Sequence, residues 1–365
     1  MKRTLANILV FAALAPVCAQ AQTQARPRQA QPARPAQRPT PRPAPRPTPK
    51  PALPAFSANP DVAKFIAYMA AEHGFDDKEL AGLFSKINPN QRVLTLFRPA
   101  PPSQTPSRPV VRSWRNYRSR FLSASRIEGG VAYWRQNTAA LNRAYEQYGV
   151  PPEVIVAIIG VETLYGRFKG GFGVMEALAS LGFHDPGRAD FFRGELEQFL
   201  ILARENGLDP LQSEGSYAGA MGIPQFMPGS WRKYAVDYDG DNRIDLFQSV
   251  ADSIGSVGNY LNGYGWQRDE PIAHKVKVSG KPQAAWLEAG MLPSLEVGEL
   301  AKRGVQVVPG SPKTATFIEL PTPRQPTEYW LGYQNYYAIT RYNRSTFYAM
   351  SVVQLAEAIK AGIGQ

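Results

Sequence analysis

The sequence predicts a mainly helical (α+β) protein with a small antiparallel sheet late in the chain, on three observations. Apolar residues at helical spacing recur from about Ser57 onward. Near the middle, the run from Val154 to Val161 is apolar on every face. Beyond Trp266 the pattern changes to short β-branched and aromatic segments between Gly/Pro turns.

In chain order, Met1 to Ala21 reads as a secretory signal. Lys2 and Arg3 precede an apolar run from Leu5 to Val17, and Ala19-Gln20-Ala21 has the small-residue form of a cleavage site. The apolar run is too short to span a bilayer. Cys18 is the only cysteine and precedes that site; Val17 before it is larger than a lipidation signal favours, so removal is expected. The mature chain then has neither a disulfide nor a thiol nucleophile.

Residues 22–56 are rich in Pro, Ala, Gln, Thr and Arg without one acid, and read as an extended tether. The formal net charge is +11; the leader and tether together contribute nine of these charges, leaving +2 for residues 57–365. The high pI is therefore no evidence for a nucleic-acid groove. A basic tether suits an anionic surface, membrane lipid or wall polymer, or serves as a soluble spacer.

From Ser57, Val62, Phe65, Ile66 and Met69 predict a first helix, and Leu80, Leu83, Phe84 and Ile87 a second, opened by an Asp76/Glu79 capping box. Trp114, Tyr117 and Phe121 predict a third. Val131, Trp134, Leu141, Tyr145 and Tyr148 predict a longer fourth stretch. Pro151 and Pro152 then sit where a helix accepts proline, and the apolar helix that follows ends in Glu162, Thr163, Leu164 and Tyr165 before a loop with Gly166, Gly170, Gly171 and Gly173. A carboxylate on an apolar helix is costly unless paired, neutralised or opened onto a cleft. Glu162 is thus either a general acid with a raised pKa or a loop glutamate held by a cap or ion pair.

Short and long helices are expected over Val174 to Leu181 and Arg188 to Asn206. Ser213 to Trp231 (SEGSYAGAMGIPQFMPGSW) is too rich in Gly and Pro for a long regular element and reads as a structured loop, able to hydrogen-bond a polymeric sugar or simply compact. In Val236 to Asp252, Asp237, Asp239, Asp241 and Asp245 fall at positions 1, 3, 5 and 9 of an EF-hand-like loop, with the Arg243 carbonyl at 7. Oxygen ligands at this spacing suit Ca²⁺. Position 6 is Asn242 and position 12 is Gln248, which has no carboxylate; Asp252, one turn on, is the substitute, or else the acid of a capping box opened by Ser249. Strands are expected at His274–Val278, Val305–Val308, Thr314–Leu320 and Tyr336–Thr340, and a last helix from Ser345 to Ala361.

The runs Gly160 to Gly166 (GVETLYG), Gly215 to Gly222 (GSYAGAMG), Pro224 to Pro228 (PQFMP), the Asp237 loop with Gly255 to Val257 (GSV) after it, and Arg341 to Ser345 (RYNRS) together resemble the B-type (family 3) lytic murein transglycosylases. The resemblance covers residue 57 to the end and not the tether. It implies a lysozyme-like catalytic core (151–271), a helical subdomain (57–150), a small β subdomain (272–345), a C-terminal helix (346–365) and one EF-hand-like calcium loop. It maps the catalytic acid onto Glu162, and glycan or peptide contacts onto Tyr117, Arg188, Ser216, Gln225, Tyr260, Tyr342 and Asn343. Where the family often has two arginines, this chain has Gly187-Arg188. The family's calcium loop closes with a later Asp, which favours Asp252 alongside Asp237, Asp239, Asp241 and Arg243. The resemblance implies a monomer acting on peptidoglycan strands. The cleavage site after Cys18 and the acid-free basic tether predict a periplasmic protein held near the envelope, at the outer membrane, by charge and not by a lipid.

Glycosidic cleavage ordinarily takes two carboxylates. Apart from Glu162, the acids of the motif region are mostly in the Asp237 loop, where a metal would occupy them. In the family, the N-acetyl group of muramic acid is thought to supply the nucleophile, and its C6 hydroxyl closes a 1,6-anhydro ring. A muramidase-type hydrolase and a non-catalytic, calcium-stabilised wall-binding protein are the alternatives.

Overall fold

The structure, a computed structural model, describes residues 53–97, 112–185 and 187–364. The expected leader and nearly all of the tether lie outside the described residues. The folded part begins slightly before the expected boundary: Phe56 is fully buried, edge-on against Phe84 and Phe183. An aromatic ring of this size repays its ordering by the apolar area it removes from water.

The organising element is the helix Pro152–Thr163, with proline at its first turn. Every residue from Val154 to Val161 is buried, as the absence of a polar face requires. It is packed by the helices Ala124–Gln136, Thr138–Tyr148, Val250–Gly263 and Thr346–Ile363. The last of these runs antiparallel to it and is tied near both ends. Lys360 Nζ pairs with Glu153 Oε1 at 2.8 Å, and Tyr348 meets Glu162 at the other end. Val174–His184 and Ala189–Asn206 form a packed pair beside this bundle.

A two-residue antiparallel pair, β1 (Phe172–Gly173) with β2 (Glu214–Gly215), links the loop after the central helix to the Gly-rich segment. The second sheet contains β3 (Ala273–Val276), β4 (Leu295–Glu296), β5 (Thr314–Leu320) and β6 (Glu328–Gly332), ordered β3-β6-β5-β4 and antiparallel throughout. It has its own small core around Trp286, Phe317, Leu331 and Tyr333.

Several expected elements differ. Tyr336–Thr340 is not a strand but part of the helix Gln334–Tyr342, burying Tyr336, Ile339 and Thr340 at helical spacing. A short apolar run fits either period, and here the packing decides. The place in the sheet between β3 and β5 is instead filled by β6, whose polar ends obscured it, and of Val305–Val308 only Val305 bridges, to Val278. Asn137 divides the stretch from 124 to 148: its N–H closes the first helix on Tyr133 and Trp134, and the second starts after it. Pro228 opens a short helix, Pro228–Tyr234, inside the expected loop. The helix Gln91–Phe97 was not foreseen; Asn90 caps it by accepting from the Arg92 and Val93 N–H groups.

Candidate active site

Glu162 occupies the last turn of the central helix, between buried Val161 and buried Thr163, and is itself half-buried. The helix ends abruptly after it. Leu164 and Tyr165 both adopt left-handed backbone conformations, with φ of 51° and 62°. Two such non-glycine residues in succession cost on the order of 1–2 kcal/mol each, so the surroundings must hold them. Thr163 Oγ1 donates to the Ile223 carbonyl at 2.9 Å and accepts from the Gly166 N–H at 2.9 Å. Tyr165 Oη donates to the Arg126 carbonyl at 2.6 Å, and Arg126 in turn donates to the Gly160 carbonyl. The Tyr165 ring lies directly over Gly160, where an added Cβ would come within 2.6 Å of it. A side chain at position 160 would therefore displace the ring, and Gly130, where a Cβ would lie 2.7 Å from the Tyr165 hydroxyl, is needed for the same reason.

Burial pushes the Glu162 carboxyl up to about 7, partly offset by a hydrogen bond from the Tyr348 hydroxyl to Oε1. Tyr348 falls within the expected last helix, Ser345 to Ala361, and its buried hydroxyl carried no separate signal in the sequence. The carboxyl also acts electrostatically on Tyr117 and Tyr342, so three tyrosines from distant segments surround it.

The other expected residues fall into linked groups. Tyr117 packs its ring on Phe347 at 5.5 Å, next to Tyr348. Tyr342 and Tyr260 meet with centroids 4.6 Å apart, and both touch Phe226. Tyr342 Oη donates to the Pro224 carbonyl at 3.1 Å and Tyr260 Oη to the Arg341 carbonyl at 2.7 Å, fixing the PQFMP loop against the Arg341–Ser345 segment. Asn343 follows, buried. Gln225, with φ of 54°, donates through Nε2 to the carbonyls of Lys169 and Gly222 at 3.0 and 2.9 Å. Ser216 Oγ accepts from the Ala220 N–H at 3.0 Å and sits at the exit of β2. Gly215 beside it tolerates no side chain, since a Cβ would lie 2.3 Å from the Ala220 carbonyl oxygen. Arg188 stands apart, under the rings of Phe97, Phe191 and Phe192. Burial holds its guanidinium below the ordinary arginine value, and Arg344, adjacent to Asn343, lowers it further.

The Asp237 loop gathers three carboxylates, those of Asp237, Asp239 and Asp252, within 4.8 Å of one another. Asp241 is not among them: it accepts from the Arg243 N–H at 2.8 Å. Asp245 caps the next turn, accepting from Phe247 and Gln248 N–H. Asn242 does adopt the left-handed conformation that position 6 requires, with φ of 67°. Asp252 is buried and accepts from the Tyr238 and Asp245 N–H groups at 2.7 and 2.8 Å, so it bridges both ends of the loop. Burial raises its pKa, opposed by those backbone bonds. Three close oxygen-donor carboxylates fit a hard divalent cation.

Comparison with known proteins follows the same lines. The family described as "Transglycosylase SLT domain" matches residues 57–357. Membrane-bound lytic murein transglycosylase B of Escherichia coli K12 is 42% identical over 309 residues, covering 83% of this chain and 84% of the relative. The crystal structure of soluble lytic transglycosylase SltB1 from Pseudomonas aeruginosa superposes with a TM-score of 0.75 at 44% identity, covering 84% of this chain and all of the other. The Escherichia coli lytic transglycosylase Slt35 in complex with calcium superposes with a TM-score of 0.75 at 40% identity, over 85% and 96% of the two chains. The family match over residues 57–357 and the identity to these relatives show that this chain belongs to the transglycosylase SLT-domain family.

Proposed function

We propose that the protein is a peptidoglycan lytic transglycosylase. It cleaves the β-1,4 bond between N-acetylmuramic acid and N-acetylglucosamine, with Glu162 as sole proton carrier. The observation that carries this reading is the half-buried Glu162 carboxyl at the end of the apolar helix, hydrogen-bonded by Tyr348 and with its pKa raised to about 7 by burial. At neutral pH a substantial fraction is protonated, as a general acid requires. Glu162 donates its proton to the glycosidic oxygen as that bond breaks, while the substrate's acetamido oxygen bonds to C1. As carboxylate, Glu162 then takes the proton of the C6 hydroxyl. O6 attacks C1, displaces the acetamido oxygen and closes the 1,6-anhydro ring. Tyr348 holds the carboxyl by its hydrogen bond. Tyr117, Arg188, Ser216, Gln225, Tyr260, Tyr342 and Asn343 position the glycan strand.

Asp237, Asp239 and Asp252 would hold Ca²⁺ with the Arg243 carbonyl and Asp241 as further ligands, and the ion would neutralise the clustered charge and brace the loop. No proton transfer passes through it. The relative crystallised with calcium supports the identity of the ion. The membrane-bound relative supports a location at the envelope, facing the wall from the periplasm. Mass spectrometry of products from purified peptidoglycan tests the whole reading. Anhydro-muramic ends are expected; reducing ends would make the enzyme a hydrolase.

A further inference from the structure

Between Glu79 and Glu128 the chain has no acidic residue and nine basic ones, Lys86 and eight arginines. The net charge of residues 57–365 is only +2, so the remainder of that part is net −7 and the positive charge is concentrated here. Four of the arginines, Arg112, Arg115, Arg118 and Arg120, are exposed within nine residues around Tyr117. Arg118 is engaged, its Nε donating to Gln354 Oε1. The side chains of Arg112, Arg115 and Arg120 have no hydrogen-bond or ion-pair partner among the described residues. Like charges crowded this way repel, and unpaired guanidinium groups seldom cluster without an anion to meet. Their place in the fold is specific. Tyr117 lies between them and packs on Phe347, whose neighbour Tyr348 bonds Glu162. Arg120 and Arg112 also act on the Tyr117 hydroxyl, as does Glu162. The segment is pinned there: the Trp114 N–H donates to the Pro321 carbonyl at 2.8 Å and the Arg115 N–H to Thr322 Oγ1 at 3.2 Å.

We propose that Arg112, Arg115 and Arg120 form a docking surface for the carboxylates of the stem peptides carried on the muramic acid of the substrate strand. The inference rests on the proposed function for the identity of the strand. A bare chain of N-acetylated sugars is neutral, whereas peptides hung on its lactyl groups present a row of carboxylates. A positive rim beside the acid raises the local concentration of such a strand and steers its approach, an effect that salt screens over roughly 8 Å at physiological ionic strength. Planar guanidinium groups also match carboxylates with paired hydrogen bonds.

The test uses the full chain and its triple variant Arg112→Gln/Arg115→Gln/Arg120→Gln, with soluble glycan strands that retain their stems and strands stripped by an amidase. Binding is read by fluorescence anisotropy and cleavage by product release, each at low and high salt. The expected result is a loss of about tenfold in affinity and kcat/KM for stem-bearing strands, with kcat kept and a weaker salt dependence. Stripped strands should behave as with the unmodified protein. An equal loss on both strands, or none on either, would overturn the proposal. So would a variant that loses only sedimentation with phosphatidylglycerol vesicles, which would assign the arginines to lipid. Because anisotropy needs no cleavage, a protein that binds with this preference but forms no anhydro ends would sink the function and leave the surface standing.

Discussion

At the scale of single residues, the site rests on what burial does to Glu162. Its carboxyl has an ordinary value of 4.5 and is raised to about 7 in the fold. A raised carboxyl pKa favours the folded state fully below the unfolded value, and that contribution is lost as pH rises through the folded one. The wild type should therefore lose up to about 3 kcal/mol of stability between roughly pH 4.5 and 7 on account of this group. Glu162→Gln removes the penalty and should be the more stable protein at pH 8, with the difference vanishing near pH 4; denaturant midpoints across that range check it. The same variant should lose several powers of ten in rate while still binding glycan, and unchanged cleavage would put the acid elsewhere. On the roles proposed for them, Ser216→Ala and Gln225→Ala would remove positioning contacts only and should cost less. Tyr348→Phe makes a separate case. Its hydrogen bond lowers the Glu162 pKa, so removing it should move the descending limb of the pH–rate profile upward; a limb that stays fixed or moves down would contradict the assignment. Glu162 stood out in the sequence as a carboxylate ending an apolar helix, but the residues alone left a general acid and a capped loop glutamate equally open, and only the family resemblance chose between them. Tyr348 did not stand out, since a tyrosine at a helical core position looks alike whether its hydroxyl has a task or merely a partner.

At the scale of elements, the metal loop separates two jobs that its sequence runs together. Asp239 is exposed, whereas Asp252 is buried and accepts two backbone N–H groups from opposite ends of the loop. Calcium binding to the native state alone should raise the melting temperature by several degrees at concentrations about a hundredfold above Kd. Asp239→Ala should abolish that shift with little change in chelator. Asp252→Ala should lower the melting temperature even in chelator, because it strands two donors at a cost of about 1–3 kcal/mol each. Identical melts of the wild type in calcium and chelator would dismiss the ion. The spacing of acids was readable; which of them converge was not. Asp241 satisfies the Arg243 N–H and Asp245 caps a turn, choices set by local backbone geometry that a ligand pattern does not encode. The central helix was plain from its unbroken apolar face, because only one environment suits such a face. Tyr336–Thr340 misled for the opposite reason. Five residues hold barely more than one helical turn, so either period fits until Tyr336 and Ile339 are seen facing the same core.

At the scale of the whole molecule, the proposed site would draw on segments that are remote in sequence: Tyr117, the end of the central helix, the loop from Ser216 to Gln225, Tyr260, and Tyr342 to Tyr348. The antiparallel C-terminal helix delivers Tyr348 to Glu162, and the pair Lys360–Glu153 fixes the other end of the same helix contact. Around the carboxyl this arrangement places tyrosine side chains, and among the described residues no second carboxylate contributes to its raised pKa. A retaining or inverting hydrolase would need such a group, as nucleophile or as base. With one carboxyl the first nucleophile comes from the substrate, and in the second step the C6 hydroxyl, held near C1 at high effective concentration, competes with water for the base. Excluding water from a closed site favours it further. The expected outcome is that muropeptides released from purified peptidoglycan carry 1,6-anhydro-muramic ends, lighter by one water than the hydrolytic products, and that this proportion stays constant as the enzyme is diluted or the reaction prolonged. Digestion in ¹⁸O-labelled water should leave those ends unlabelled, since no solvent oxygen reaches C1. Incorporation of label into the muramic ends would mean that water attacks C1, and the single-carboxyl mechanism would then fail for the molecule as a whole.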